Sequence, residues 1–229
     1  KKILQKSTDL YWFDLNPKIE IHLPSELAKV DVLHITFPQN DQFVTEVKKL
    51  IKKYKPELTV IHSTTIPGTT KKFGQDTIHS PILGQHDNLY HHIITFKKAI
   101  GPNSLSAREK AKKYLKQIFK LEFYKDATTT EAAKVLSLAK FAINIEMARY
   151  SSEVCKKLKI DFDETNIKFM KLYNEGYQAS RLDKFTQPLL TPPKKCIGGT
   201  CVIPGVSKAQ IVLESSLLNE ILKKNHKSN

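Results

Sequence analysis

Cysteine and glycine are scarce in this sequence. Its 229 residues include three cysteines, at positions 155, 196 and 201, and eight glycines. A small, odd number of cysteines excludes a disulfide-stabilised scaffold, so we expect reduced thiols. Two of the glycines nevertheless stand together in KKCIGGTCVIPG, residues 194–205, just before Cys201. This segment is either a tight loop without chemistry or a loop that holds a nucleophile close to a ligand.

A long apolar run is also missing. No segment approaches the roughly 18–20 apolar residues that a bilayer-spanning helix needs, and KKILQKSTDL at the start lacks the apolar core and cleavage site of a signal peptide. We therefore expect a soluble, cytoplasmic protein without a membrane partner. Because 40% of the residues are hydrophobic and 26% are charged, the composition is that of a globular protein. The length allows one large domain or two smaller ones.

Arginine is rare although the chain is basic. The formal net charge is +14, but only three of the 37 basic residues are arginines. Such a charge attracts nucleic acid or anionic small molecules, yet recognition of base edges and bidentate binding of phosphate favour arginine. The lysines occur in pairs on predicted helix faces, as in EVKKLIKKYK, and form no single basic tract. We therefore expect an anionic small-molecule substrate and no nucleic-acid partner.

The first half of the chain alternates short apolar runs with helical patterns. Residues 32–37 (VLHITF) and 58–62 (LTVIH) are predicted strands, and the segment between them has helical spacing with Asp41 as its cap. Strand, helix and strand of these lengths predict a right-handed parallel crossover. Further strands are predicted at residues 10–13, 77–79, 92–95 and 121–124, with a helix over residues 106–119. The pattern predicts an α/β fold with a Rossmann-type doubly wound parallel sheet, whose ligand lies at the carboxyl ends of the strands.

The second half of the chain is predicted to be helical. Residues 128–158 contain neither glycine nor proline and are apolar on much of the helix circumference, which indicates burial against a domain or a second subunit. Further helices are predicted over residues 161–174 and 207–224, with a loop between them. We expect two domains, a dinucleotide-binding domain of residues 1–125 and a helical domain of residues 126–229. The long helix is expected to form a homodimer.

Asp14 follows the apolar run LYWF. In dinucleotide-binding folds, an acidic side chain at the end of the second strand binds the adenosine ribose about 20 residues after a glycine-rich turn. Counting back that far from Asp14 leaves the chain, so we expect that the first strand and its glycine loop are missing and that residue 1 is not the natural start. An Asp before Leu-Asn-Pro is equally common at a turn or a helix start. Both interpretations stay open.

Five segments occur in an order that is typical of one enzyme family. They are VDVLHITFPQND (30–41), HSTTIPGTT (62–70), HSPILG (79–84), the helical residues 128–164 and CIGGTCVIP (196–204). Together they resemble the nucleotide-sugar 6-dehydrogenases, the UDP-glucose and GDP-mannose dehydrogenases, over most of residues 10–205. The C-terminal nucleotide-binding domain of that family has no counterpart in this sequence.

The resemblance implies a two-step oxidation, by NAD, of a primary alcohol on a sugar nucleotide to a carboxylate. In such a reaction a cysteine thiolate adds to the intermediate aldehyde, the second hydride transfer leaves a thioester, and water releases the acid. At the matching positions, Cys201 is the nucleophile, Lys134 stabilises oxyanion character, and Thr64 lies near the nicotinamide. We therefore expect an NAD-dependent dehydrogenase that acts on an anionic, sugar-nucleotide-like substrate.

The same resemblance assigns the contacts with NAD. Asp14 matches the ribose-binding acid, and a carboxylate there favours NAD over NADP because it would repel a 2′-phosphate. Pro38, Ser63 and Thr64 match positions at the ends of strands, and Gly199 allows the backbone to approach the ligand. No metal site is expected.

Three positions depart from the family pattern. Ile82 stands where the family has an acid/base Glu, Leu138 where it has an Asn, and Gly205 where it commonly has an Asp. Loss of an acid/base group typically lowers the rate by about 10²- to 10⁴-fold. The alternative function is therefore a non-catalytic nucleotide-binding or scaffolding protein that kept the fold.

Four histidines near Ile82 could supply a replacement base. They are His79, His86, His91 and His92. Histidine titrates close to neutral pH, which suits a general base, but loop histidines at the surface give the same pattern.

Overall fold

The computed structural model describes residues 9–14, 29–84, 86–193, 196–197 and 201–227. Within this part, five strands form one sheet in the order of the chain. They are β1 (Val32–Ile35), β2 (Leu58–Ile61), β3 (Thr77–His79), β4 (Lys98–Pro102) and β5 (Leu121–Phe123). Neighbouring strands are parallel, except that β3 and β4 are antiparallel. The predicted class, a Rossmann-type sheet followed by helices, is confirmed, and the sheet is mixed because of this one pair.

Helices pack on both faces of the sheet because alternate strand residues point to opposite sides. On one face, α1 (Phe43–Tyr54) buries apolar residues against Ile35 and Ile61. On the other face, α3 (Leu105–Leu115) buries apolar residues against Val60 and Ile78. Each face therefore has its own apolar core.

The predicted strand at residues 92–95 is wrong. These residues belong to α2 (Leu89–Thr95), which has no buried residue. The strand instead follows at residues 98–102, where Lys98 and Ile100 are buried and the backbone pairs with both β3 and β5. A short apolar run is compatible with either a helix or a strand. Here the buried segment is the strand, and the segment without a buried residue is the helix.

Two predictions near the start of the chain are also wrong. Residues 10–13 do not form a strand of the sheet, since Trp12 makes only an isolated bridge. A strand requires a continuous ladder of main-chain hydrogen bonds along a neighbour. Asp41 does not cap α1, because Gln42 occupies the cap position and makes no side-chain capping bond.

The second half of the described chain is helical. It contains α4 (Ala127–Leu158), a π-helical segment (Asp163–Lys168), α5 (Phe169–Ala179), α6 (Val202–Leu213) and α7 (Ser216–Lys227). The chain divides into two compact units inside α4, between Lys134 and Val135. The second unit has its own apolar core, to which α4, α6 and α7 contribute.

The single helix predicted over residues 207–224 is two helices. Glu214 adopts a left-handed conformation with φ 46°, which ends α6 before α7 begins. Among the described residues, the helices include none that is both long and apolar enough to cross a membrane.

Candidate functional site

The turn after β2, residues 62–70, carries five hydroxyl side chains. Four of these donate hydrogen bonds within the protein: Ser63, Thr65, Thr69 and Thr70. The Ser63 hydroxyl donates to the Phe37 carbonyl oxygen at 2.6 Å and so ties this turn to the segment that follows β1. Thr64 is half-buried, and its hydroxyl has no partner among the described residues. Thr64 is therefore the hydroxyl of this turn that is available to a ligand.

Glu131, near the start of α4, holds this turn in place. Its side chain is fully buried. Its Oε1 accepts from Thr65 Oγ1 at 2.9 Å, from Thr70 N at 2.8 Å and from Thr70 Oγ1 at 2.6 Å, and its Oε2 accepts from Gly68 N at 2.6 Å. Since two of the donors are main-chain N–H groups, Glu131 fixes the backbone of the turn as well as its side chains.

Lys134 lies three residues after Glu131, on the same side of α4. Its Nζ donates to the main-chain oxygen of Ile82 at 3.0 Å, and its side chain is half-buried. Ile82 stands in the loop after β3. The amine predicted to stabilise an oxyanion is thus held at the carboxyl end of β3, against the residue that replaces the family's Glu.

His79, at the end of β3, is fully buried between the turn and α4. Burial lowers the pKa of His79 to about 4. The Ser63 carbonyl can only accept, so His79 Nε2 donates to it at 3.2 Å, and Nδ1 of the neutral ring accepts from Thr130 Oγ1 at 2.8 Å. Because the protein engages both ring nitrogens, His79 is placed as a structural residue, and it does not replace the missing base.

A second pair of histidines lies on the opposite face of the sheet, at the ends of β1 and β2. The Ser80 carbonyl accepts from His62 Nδ1 at 2.7 Å, so His62 Nε2 accepts from His34 Nδ1 at 2.9 Å. The two rings are stacked, with centroids 5.2 Å apart. Burial lowers the pKa of His34 to about 4 and that of His62 well below its ordinary value, and the charge of Lys98 acts in the same direction.

The remaining predicted cofactor contacts occupy separate places. Pro38 is exposed beyond the end of β1, and Ser63 is buried beside His79. Asp14 is exposed, and the described residues around it form no strand. Gly199 lies outside the described residues. The structure therefore brings together Ser63, Thr64 and Lys134 around the carboxyl ends of β2 and β3.

Cys201 belongs to the second unit, where it immediately precedes α6. It is exposed, and its main-chain oxygen accepts from Gly205 N at 3.0 Å. Upstream, Ile197 N donates to Asn225 Oδ1 of α7 at 2.7 Å in a buried contact. Ile197 is thus attached to α7, and Cys201 to the first turn of α6.

Two of the departures from the family pattern are in contact with each other. A Cβ atom added to Gly205 would lie 2.4 Å from Leu138 Cδ1 and 2.8 Å from Leu138 Cβ. The Leu138 side chain therefore fills the space that a side chain at position 205 would need. At the two positions where the resemblance implies polar residues, the structure has one apolar contact.

This contact predicts that Gly205→Ala lowers the free energy of unfolding by about 1–3 kcal/mol, because overpacking outweighs the gain in helix propensity. In a Leu138→Ala background the same change should cost less but still destabilise, because the contact with Cδ1 is removed and the contact with Cβ at 2.8 Å remains. Chemical denaturation of the four variants measures the coupling. Gly176→Ala in α5 is the matched control. No atom lies near its added Cβ, so it should raise stability by about 0.5–1 kcal/mol. Equal costs of Gly205→Ala in both backgrounds would contradict this packing.

Sequence reasoning missed Glu131, the His34–His62 pair and Lys98. Glu131 carried one signal: it is the single charged residue of TTTEAA (128–133), at the start of the predicted helix and three positions before the lysine that was singled out. His34, His62 and Lys98 carried no such signal in the sequence, because their contacts join strands that are distant in sequence. No group of three or more His, Cys, Asp or Glu side chains within the described ranges is arranged to hold a metal ion.

Solved structures with a similar fold include dehydrogenases. The UDP-D-ManNAc dehydrogenase of Pyrococcus horikoshii matches with a TM-score of 0.71 and 18% identity, over 88% of this chain and 51% of that chain. A UDP-glucose dehydrogenase of Pyrobaculum islandicum matches with a TM-score of 0.65 and 15% identity, over 88% and 51%. The 3-hydroxyisobutyrate dehydrogenase of Mycobacterium tuberculosis matches with a TM-score of 0.61 and 14% identity, over 88% and 75%.

These likenesses concern the fold. The chain spans about half the length of the nucleotide-sugar dehydrogenases that it matches. No protein-family model matches the sequence, and no curated protein matches it. The described chain therefore has a dehydrogenase-like fold, with a Rossmann-type sheet followed by helices.

Proposed function

We propose that this chain is an NAD-dependent dehydrogenase, similar to the nucleotide-sugar 6-dehydrogenases, that oxidises an alcohol on an anionic, sugar-nucleotide-like substrate. The observation that carries the proposal is the turn after β2. Four of its five hydroxyl groups are bonded within the protein, and Thr64 alone is left for a ligand at the carboxyl end of a parallel strand, where dinucleotides bind in such sheets.

The residues at this edge suit the nicotinamide half of NAD, which supplies hydride acceptance when it is bound. Thr64 offers a hydroxyl that can donate or accept a hydrogen bond. Asp14, which is exposed, is assigned separately to the adenosine ribose. The backbone that carries Thr64 is held by Glu131, so this hydroxyl is positioned before a ligand arrives.

Lys134 is assigned to charge stabilisation. Its ammonium donates a hydrogen bond to the neutral Ile82 carbonyl at 3.0 Å. A cation at this edge favours negative charge that develops on a substrate oxygen during oxidation. Cys201, in the second unit, is assigned as the nucleophile for the second oxidation step: its sulfur would bond to the aldehyde carbon while the carbonyl electron pair moves to oxygen.

The decisive experiment measures NAD binding first and turnover second. The purified protein should bind NAD more tightly than NADP in a calorimetric titration, and a panel of sugar nucleotides should include one that generates reduced cofactor absorbance. Absence of binding to either dinucleotide contradicts the proposal.

Lys134→Met should lower kcat by about 10²- to 10³-fold and leave the Kd for NAD within about threefold, because the amine is assigned to the reaction and not to cofactor affinity. Lys140→Met, at an exposed lysine of the same helix, is the control and should keep full activity. Cys201→Ser should stop acid formation. Equal losses of kcat in the Lys134 and Lys140 variants would contradict the role assigned to Lys134.

A second function is supported by two observations. Ile82 cannot exchange a proton, and Leu138 packs where a side chain at position 205 would lie. Both features suit a protein that binds a nucleotide without oxidising a substrate. NAD binding without turnover of any sugar nucleotide would favour this alternative.

A further inference from the structure

Polar side chains from four strands lie in one row on the α3 face of the sheet. Val32, Val60, Ile78 and Ile100 pack in the core on that face. Alternation along a strand places the residue two positions away on the same face. The row therefore consists of His34, His62, Ser80 and Lys98, beyond the apolar core and toward the carboxyl ends of β1 to β3.

Lys98 brings a charge to this row without a carboxylate to balance it. Its side chain is 6% exposed, and its Nζ lies 5.9 Å from the centre of the Phe119 ring. The ion pairs among the described residues include none with Lys98, although the adjacent Lys97 pairs with Glu122 at 2.8 Å. Buried charges in proteins are normally paired, so this position lacks a counter-charge.

Ser80 provides a donor that no described residue uses. The residue is fully buried, and its hydroxyl has no hydrogen-bond partner in the described part of the chain. Buried hydroxyl groups are normally satisfied, because an unmade bond costs about 1–3 kcal/mol. A ligand atom that accepts a hydrogen bond here would remove this cost.

His34 adds a third group, and the protonation state of its ring can change when a ligand binds. Its Nδ1 donates to His62, which leaves Nε2 with a lone pair in the neutral ring. If an anion binds beside it, the ring can take up a proton and Nε2 becomes a donor. The row can thus present an ammonium, a hydroxyl and an imidazolium, and it includes no negative side chain.

We propose that the row His34, His62, Ser80 and Lys98 is a binding site for a single phosphate-class oxyanion, separate from the role assigned to Thr64 and Lys134. The chemistry fits a doubly or singly charged tetrahedral oxyanion, which accepts several hydrogen bonds and supplies the missing charge. The site does not depend on dehydrogenase activity.

Calorimetric titration with inorganic phosphate at low salt and pH 7 tests the site. Wild-type protein should bind one phosphate. Lys98→Met should weaken binding by about 100-fold, and Ser80→Ala by about 10-fold, because bonds to charged groups contribute that much to affinity. Without phosphate, Ser80→Ala should unfold above the wild-type temperature, because it removes a buried hydroxyl that makes no bond in the free protein. Lys97→Met is the control for general charge and should bind phosphate like wild type.

Three results would overturn the proposal: no phosphate binding to wild type, equal Kd values for wild type and Lys98→Met, or equal losses of affinity in the Lys97 and Lys98 variants.

Repeating the titration at saturating NAD identifies the source of the anion. Competition assigns the site to a phosphate group of the dinucleotide, and unchanged binding assigns it to a separate anion. Phosphate binding that persists when NAD does not bind keeps this proposal and contradicts the proposed function.

Discussion

Glu131→Ala is expected to lower the free energy of unfolding of the first unit by about 4 kcal/mol or more. The change removes a buried carboxylate and leaves four donors unsatisfied in the turn after β2: the Thr65 hydroxyl, the Gly68 N–H, and the hydroxyl and N–H of Thr70. Each unsatisfied buried donor costs about 1–3 kcal/mol, and relaxation of the turn toward water recovers part of the sum. Glu131→Gln should cost less, because the amide keeps one acceptor oxygen.

Urea denaturation followed by circular dichroism measures this loss, and hydrogen exchange localises it. The amides of Gly68 and Thr70 should lose protection in Glu131→Ala, because the carboxylate is their acceptor. Glu153→Ala, at an exposed position of the same helix, is the control and should change stability by less than about 0.5 kcal/mol. Unchanged protection at Gly68 and Thr70 would show that Glu131 does not hold the turn.

The first unit is expected to lose stability steeply as the pH falls from 6.5 to 4. Burial lowers the pKa of His34 and His79 to about 4 and that of His62 well below its ordinary value. The unfolded chain, with pKa values near 6.5, binds these protons more readily than the folded protein. The stabilising contribution is therefore fully present above pH 6.5 and is lost on acidification.

The size of this effect follows from the pKa values of His34 and His79. A shift from 6.5 to about 4 corresponds to about 3 kcal/mol for each of His34 and His79. Near pH 5, where up to three histidines differ between the two states, the slope approaches about 4 kcal/mol per pH unit. The surface carboxyl groups Glu57, Asp76, Glu122 and Asp126 have lowered pKa values, so their loss follows at lower pH.

Urea denaturation at a series of pH values from 4 to 7.5 measures the slope. His79→Asn removes one titrating group, so the number of protons taken up on unfolding near pH 5 should fall by about one, and the slope should fall in proportion. His91→Asn, at an exposed histidine of α2, is the matched control for the substitution itself. A flat stability profile between pH 6.5 and 4.5 would show that the histidines are not held neutral in the folded protein.

Local patterns predicted much of the fold. The crossover from β1 through α1 to β2, the strands at residues 77–79 and 121–124, and the long helix α4 follow from periodicity alone. These elements have apolar residues at the spacing of the structure that they form, so each carries its own signal.

Residues 92–95 and 98–102 show the limit of this reasoning. The first segment has β-branched apolar residues and is an exposed helix, whereas the second starts with lysine and is a buried strand.

The amino-acid sequence by itself determined the α/β class, the helical second half and the candidate turn with Thr64. Tertiary structure alone decided that β4 runs antiparallel to β3 and that Glu131 forms hydrogen bonds with residues more than 60 positions earlier. It also decided that Leu138 fills the space beside Gly205, and that Lys98 lies in a row with His34, His62 and Ser80. The physical reason is that periodicity along the chain records which side of an element is buried. It contains no information about which distant group meets that side, because hydrogen bonding and packing depend on strand order and on distances in space.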